Sequence, residues 1–326
     1  MTFMEKWLNI KSNLEYIYFV LEWKFEVPKV TWKKLCPDKY NFKKKIFWRK
    51  YHKDIFIIGI FNDLEYPFEY EKELIYNDIP FLKSLLQKCI RRQKSLSAVK
   101  CMKHLLRVNI VEAVRRLGII MVEDTEVMNT LPIIMWITAA VPQWRPPQRV
   151  IEWLLGVVHV LCNHKHNRIY KECDKKPYNI LNTLKNKQII YCLQFRKAFG
   201  GLKCDTNMLE NASIYYMSNP VIKVRSVLID YYTIENLTFQ EWEFVCVDHH
   251  ITNIADIIFK QFPQYSVDYI KKLLWQYRSC INTRHDKLLY NDSTNKKDFL
   301  LIQNRVDQFS YNILKFKFGE KNKSNK

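Results

Sequence analysis

Glycine is scarce in this chain, at six of 326 residues. Tight hairpins and phosphate-binding loops depend on the positive-φ backbone that glycine adopts at little cost, so this scarcity disfavours an all-β fold. No stretch matches GxxxxGK[ST], which excludes a Walker-type phosphate loop and the ATP hydrolysis that needs one. The sequence therefore favours a helical fold without ATPase activity.

Apolar runs of membrane length are missing as well. The longest, 131–141 and 150–162, fall short of the roughly 20 residues that a transmembrane helix needs. Residues 1–24 carry an acid and lysines without a signal-peptide cleavage pattern. The nine cysteines are scattered and odd in number, which favours reduced thiols over a disulfide framework. We therefore predict an intracellular protein of the cytoplasm or nucleus, with no membrane partner.

Acidic residues are strongly outnumbered. The chain has 52 Lys+Arg against 33 Asp+Glu, a formal net charge of +19. Such a surface attracts polyanions, so nucleic acid is the predicted partner. The alternative is that the lysine- and asparagine-rich composition reflects an AT-rich genome and serves no ligand.

Helical periodicity dominates the middle of the chain. From 81 to 141 apolar residues recur every three or four positions, which is typical of consecutive amphipathic helices. We predict a mainly α fold, a multi-helix bundle with minor short β strands. The predicted elements are an amphipathic helix over 1–24, a strand over 54–61, helices over 81–93, 97–107 and 110–121, and a helix ending at Ala140 that Asp124 or Thr125 caps.

Composition divides the chain into three segments. A basic, aromatic segment, 1–80, is predicted to pack on a helical core, 81–315, which a proline-rich break interrupts at 142–149. The charged tail, 316–326, is predicted to be disordered. Within the core, the predicted helix ends and caps are a stop at Gly200-Gly201, an Asp205 cap for a helix reaching Met217, and Ser266 before a further helix.

The order LQKCIRR, a second helix, then VRRLGIIMVEDTEV resembles the helical collar that follows the ATPase core in clamp-loader-like AAA-plus proteins of the replication-fork repair type. Since the phosphate loop is absent, the resemblance implies a helical region and a replication or repair setting without ATPase activity. Stretches 193–205 and 269–284 are similar to uncharacterised proteins of large DNA viruses and protists, which implies a virus-infected host cell. The first resemblance rests on Lys88, Arg91, Arg92, Arg115, Arg116, Leu117, Glu123 and Asp124.

Basic residues alternate with aromatic ones between 25 and 55. Single-stranded nucleic acid needs both, cations for its phosphates and rings for its bases. The alternative is a basic segment whose rings enter the core. The predicted nucleic-acid-binding residues are Lys43, Lys44, Lys45, Arg49, Arg91, Arg92, Arg115, Arg116, Lys271 and Lys272 for phosphates, with Trp32, Trp48 and Tyr51 for stacking.

Two clusters have metal-ligand chemistry. The first, at 159–173, could form a tetrahedral zinc site. The alternative is that its His and Cys side chains pack in the protein interior. Apart from zinc, no cofactor is expected. The second, FVCVDHHIT at 244–252, is similar to the metal-binding Asp-His-His element of DHH phosphoesterases, and alternatively Asp248 caps the following helix. The candidate zinc ligands are His159, Cys162, His164, His166 and Cys173.

These patterns favour a non-catalytic protein that binds nucleic acid electrostatically, or an accessory protein of a replication or repair complex. One alternative is a structural or assembly scaffold in a viral or other macromolecular complex, with protein partners and a compositional charge. A second alternative is a metal-dependent phosphoesterase. No catalytic residues are assigned.

Overall fold

A computed structural model describes residues 18–23, 28–48, 53–61, 78–164, 186–225, 227, 251–274 and 296–318. Over these ranges the fold is mainly α with a small β-sheet, as the sequence predicts. The helices are α1 (Ile79–Arg91), α2 (Ser95–Asp124), α3 (Leu131–Ala140), α4 (Gln148–Asn163), α5 (Lys187–Ala198), α6 (Lys203–Tyr215), α7 (Ile251–Gln261), α8 (Val267–Leu274) and α9 (Lys296–Phe318).

The chain forms two compact units. One, here the sheet unit, comprises Met1–Glu69, Val114–Ile151 and Asn167–Ser226. The other, the helical unit, comprises Tyr70–Ala113, Glu152–His166 and Val227–Lys326. None of the helices in the described ranges is long and apolar enough to cross a membrane.

The sheet unit contains four strands, β1 (Tyr18–Trp23), β2 (Lys29–Lys33), β3 (Phe42–Trp48) and β4 (Lys53–Phe61). Their order across the sheet is β2-β1-β4-β3. The two central strands, β1 and β4, run parallel, and each edge strand is antiparallel to its neighbour. Side chains of a strand alternate between the two faces of the sheet, so each strand contributes to an inner face and an outer face.

Strand β4 confirms the strand predicted over 54–61. The predicted helix over 1–24 is wrong for its last part, because Tyr18–Trp23 is strand β1. Its backbone pairs with β2 on one side and β4 on the other. The helical spacing of apolar residues was misleading here, because long-range pairing overrides a local pattern. Residues 1–17 lie outside the described ranges.

The inner face of the sheet packs on helix α3, all ten residues of which are buried. This helix contacts β1, β2, β4 and helix α5. Trp136 lies at its centre, and its indole N–H donates to the carbonyl oxygens of Phe19 and Ile58, at 3.0 Å each. The core of the sheet unit therefore lies between the inner face and helices α3 and α5.

The helical unit begins with α1, where the carboxylate of Asp78 accepts from the backbone N–H of Phe81 at 3.0 Å and Pro80 occupies the first turn. Lys83 on α1 pairs with Glu112 on α2 at 2.6 Å. Ser266 caps α8 as predicted, accepting from the N–H of Tyr269. Helices α7, α8 and α9 enclose an apolar cluster of Ile254, Ala255, Ile258, Ile270, Leu273, Leu274, Ile302 and Val306.

Helix α2 joins two predicted helices into one element that is interrupted at Asn109. The side chain of Asn109 accepts from the backbone N–H of Glu112 at 3.0 Å, as a cap does. The predicted cap at Asp124 or Thr125 is wrong, because α3 starts only at Leu131. Thr125 instead donates its hydroxyl back to the carbonyl of Met121 at 2.8 Å.

Two further helix ends differ from the sequence prediction. Gly200 ends α5 at a φ of 77°, as expected, but Asp205 is not the cap of α6, which begins at Lys203 with Leu202 at the cap position. Helix α9 continues to Phe318, so 316–318 are helical and not disordered. Residues 319–326 lie outside the described ranges.

Gly156 on α4 provides a test of packing in the helical unit. A Cβ at this position would overlap the backbone carbonyl oxygen of Val227, which cannot move without its chain. We expect Gly156→Ala to destabilise the protein by about 1 to 3 kcal/mol despite the better helix propensity of alanine. Chemical denaturation measures this change in the free energy of unfolding.

Gly118→Ala on α2 is the matched control. There the added Cβ would meet only the terminal methyl group of Met135, a flexible side chain that can move aside. The control shares the gain in helix propensity and has little of the clash. Equal unfolding free energies for the two variants would contradict the close contact at Gly156.

Candidate nucleic-acid interface

Three consecutive lysines of β3 have different surroundings. Strand alternation places Lys44 on the inner face and Lys43 and Lys45 on the outer face. The Lys44 ammonium donates to the carbonyl oxygen of Ala139 at 2.9 Å, in the last turn of α3. Partial burial lowers the pKa of Lys44. Lys44 thus completes a helix C-terminus, where a positive charge is favourable, and does not fit the predicted phosphate contact.

Lys43 lies exposed on the outer face among aromatic rings. Its ammonium is 5.0 Å from the ring centre of Phe56 on β4 and 5.4 Å from that of Tyr40, just before β3. The Phe56 ring is itself stacked on Tyr18, with ring centres 5.3 Å apart. Within the described part of the chain, Lys43 contacts no carboxylate. Its positive charge thus lies beside rings and the Cys36 sulfur, 3.9 Å away, and no carboxylate of the described ranges neutralises it.

Lys45 and Phe47 continue the same face toward the end of β3. Lys45 pairs with Asp54 at 2.7 Å, and both side chains are largely exposed. Phe47 is opposite Asp54 in the strand pairing and is 55% exposed. We call the set Tyr40, Lys43, Lys45, Phe47 and Phe56 the β3 margin.

The accessible part of the outer face is limited to its edges. At the centre of this face Val20 and Ile58 are fully buried. On the opposite edge, Lys33 of β2 pairs with Glu22 at 3.0 Å, and Lys29 is exposed. The β3 margin is therefore the place in the described sheet where exposed lysines and exposed rings occur together.

Trp32 and Trp48 do not fit their predicted stacking role, because they are only 7% and 2% exposed. Both lie on the inner face, where their rings contact Phe195 of α5 at centre distances of 6.2 and 5.5 Å. Burial in the same region raises the pKa of the Cys192 thiol, which is therefore a neutral core group. The alternative weighed from the sequence, rings that enter the core, holds for these two tryptophans.

The predicted arginines of the described ranges are less accessible than Lys43 and Lys45. Arg91 is buried in the helical unit, and Arg92 is half-buried. Arg115 and Arg116 belong to the sheet unit and are half-buried, and Arg116 lies 4.0 Å from the carboxylate of Asp205. Burial weakens the case for Arg91 in particular, since a phosphate cannot reach it from solvent.

Helix α8 turns its lysines away from the core, as the sequence predicts. Its buried residues are Ile270, Leu273 and Leu274, whereas Lys272 is exposed and Lys271 half-buried. Both lysines belong to the helical unit. Their predicted contact with phosphate stays a prediction.

The candidate zinc ligands have other contacts. Both ring nitrogens of His159 are within hydrogen-bond distance of a partner, Nδ1 at 2.7 Å from the Ser95 hydroxyl and Nε2 at 2.9 Å from the Asn163 amide. Cys162 is fully buried. Over the described ranges no three His, Cys, Asp or Glu side chains come together as a metal site would need. Two proposed ligands, His166 and Cys173, lie outside those ranges.

Several predicted residues lie outside the described ranges. Arg49 and Tyr51, beyond the end of β3, are among them, as is the Asp-His-His stretch at 244–252. These assignments stay predictions.

No protein family, curated protein or solved structure matches this chain. The similarity of residues 81–141 to the clamp-loader collar therefore remains an expectation from the sequence.

The sequence did contain the signal for the β3 margin. Lys43, Lys45 and Phe47 are two residues apart, which places them on one face of any strand. Without a strand over 42–48, the sequence does not distinguish Lys44 from its neighbours or Phe47 from Trp48. Phe56 does not stand out from the apolar residues around it in the sequence, and only the pairing of β3 with β4 brings its ring to Lys43.

The opposite placements of Lys43 and Lys44 lead to a stability prediction. Lys44→Met keeps the chain length but removes the donor to Ala139, so we expect a loss of about 1 kcal/mol in unfolding free energy. Lys43→Met removes an exposed charge and should change stability by less than about 0.5 kcal/mol. Urea denaturation of both variants measures the difference, and equal effects would contradict the assignment of faces.

Proposed function

We propose that this protein binds nucleic acid without catalysis, through the β3 margin of its sheet unit. The observation that supports the proposal most is Lys43, an exposed ammonium that no described carboxylate neutralises and that rings hold at the surface. Phosphate groups bind favourably beside such a charge, and the net charge of +19 further raises the affinity for a polyanion. The affinity would therefore come mainly from electrostatic attraction.

Lys45 would make the second phosphate contact. Its pair with Asp54 is exposed, and exposed ion pairs contribute little to stability. Lys45 can thus exchange Asp54 for a phosphate oxygen at small cost. The Asp54 carboxylate would then face the incoming backbone and oppose it, so that this residue would limit the affinity.

The biological setting is a further part of the proposal. An accessory role in a replication or repair complex is supported by the resemblance of residues 81–141 and by the basic composition. A location inside cells, in the cytoplasm or nucleus, accords with the cysteines of the described ranges, which form no disulfide with one another.

Charge reversal at Lys43 tests the site. We expect Lys43→Glu to weaken binding of a fluorescent oligonucleotide by about 5- to 20-fold near 0.1 M salt, because one phosphate contact is lost and a repulsion is added. The slope of log affinity against log salt should fall by about 0.7 for a single strand or about 0.9 for a duplex. Fluorescence anisotropy across a salt series measures both quantities.

Two controls carry the same change in net charge. Lys203→Glu reverses an exposed lysine on α6 of the sheet unit, and Lys260→Glu does so on α7 of the helical unit. Both should bind nearly as the unaltered protein does. An equal loss in all three variants would show that net charge, not the β3 margin, determines affinity. No oligonucleotide binding at low salt would contradict the proposal and favour the scaffold alternative.

Asp54 gives an independent prediction of opposite sign. Asp54→Asn removes the carboxylate that competes with phosphate for Lys45, so we expect oligonucleotide affinity to rise by about 3- to 10-fold. Glu210→Gln on α6 is the control, since it removes a carboxylate from another lysine pair, with Lys197. Unchanged affinity in Asp54→Asn would exclude Lys45 from the binding surface.

A further inference from the structure

We infer that the ligand of the β3 margin is a single strand, whose unstacked bases lie on the rings of Tyr40, Phe47 and Phe56 while its phosphates meet Lys43 and Lys45. This inference rests on the proposed function and adds to it the kind of nucleic acid and the residues that contact the bases. The rings are not those that the sequence singled out, since Trp32 and Trp48 are in the core.

Two rings of the margin, Tyr40 and Phe47, are exposed and Phe56 is half-buried, and all three are interleaved with the charges. Tyr40 is 44% exposed, and Phe47 is more exposed still. Lys43 lies between Tyr40 and Phe56, and Lys45 is opposite Phe56 in the strand pairing. Each lysine therefore has a ring beside it, so a nucleotide can place its phosphate and its base on adjacent side chains.

Phe56 is the most firmly held of the three rings. Its position in β4 is set by pairing on both sides, with β1 and β3. One flank of the ring is packed on Tyr18, with the ring planes inclined by 21°. A ring that is already fixed loses little conformational entropy when a base stacks on it, so Phe56 is suited to be the centre of the platform.

The combination of rings and lysines distinguishes a single strand from a duplex. In a duplex the base faces are covered by neighbouring bases, so an aromatic side chain has no face to stack on. Alternate residues of a strand are about 6.8 Å apart in a straight row. An extended single strand can follow such a row, whereas the backbone of a duplex winds away from it. Lysines alone would bind either form, whereas the rings favour the single strand.

Stacking on aromatic rings also predicts weak sequence preference. Every base has a face that can stack, and ring contacts do not read the hydrogen-bonding edges of a base. We therefore expect the margin to bind single strands of mixed composition similarly. Both DNA and RNA satisfy these requirements, and parallel titrations of each distinguish them.

The decisive experiment compares three probes of equal length at one salt concentration: oligothymidylate, the same sugar-phosphate strand without bases, and a duplex. We expect the natural strand to bind at least about 5-fold more tightly than the abasic strand, since each stacked base strengthens binding by about 5- to 100-fold. The abasic strand keeps the phosphate contacts and should retain the salt dependence. A strand containing 2-aminopurine should lose fluorescence on binding as its base stacks.

The double variant Tyr40→Leu/Phe47→Leu removes two rings but keeps apolar side chains of similar bulk. It should lose most of the preference for the natural strand, keeping only the stacking that Phe56 provides, with abasic binding unchanged. Leu35→Ala is the control, because Leu35 is 80% exposed in the loop before β3 but is not part of the margin. Both altered rings are exposed, so we expect the variant to fold. Thermal unfolding of each variant checks this.

The outcomes separate this inference from the function on which it rests. Equal affinity for the natural and abasic strands, or a preference for the duplex, would overturn the single-strand inference and leave electrostatic binding intact. No binding of any probe would overturn the proposed function itself. Loss of both natural and abasic binding in a folded Tyr40→Leu/Phe47→Leu protein would also overturn the inference, because the rings would then act through the lysines and not through bases.

Discussion

The sheet unit depends on one hydrogen-bonding group, the indole N–H of Trp136. It donates to carbonyls of both central strands, those of Phe19 and Ile58. The indole is fully buried, where an unpaired N–H would cost about 1 to 3 kcal/mol. These bonds tie helix α3 to both central strands on the apolar face that Phe19, Trp32 and Ile57 line. The surrounding rings, those of Phe42, Phe61 and Trp144, fill the remaining space.

Once α3 covers the inner face, strand alternation assigns every side chain of β3. Phe42, Lys44 and Trp48 point toward the core, and Lys43, Lys45 and Phe47 point away from it. A shift of one residue in the pairing with β4 would exchange these two sets. The proposed binding surface is therefore a consequence of how the core packs, and it needs no element of its own.

Only some of the cations behind the net charge of +19 are accessible to a ligand. Lys44 ends a helix, Arg91 is buried, and Arg116 lies near a carboxylate. Burial and pairing remove such cations from any interface, because a phosphate must reach a charge before it can displace counterions. A few exposed lysines beside rings therefore matter more to a ligand than the total charge does.

Sequence alone was sufficient for the mainly helical fold, the strand at 54–61, the Ser266 cap and the lack of a phosphate loop, because each depends on residues close together in the chain. Of the proposed site, the sequence contributed the segment and two lysines, Lys43 and Lys45. The strand at 18–23, the core positions of Trp32 and Trp48, and the contact of Phe56 with Lys43 came from the folded structure alone. Those outcomes depend on pairing and burial between residues far apart in sequence, which no local pattern encodes.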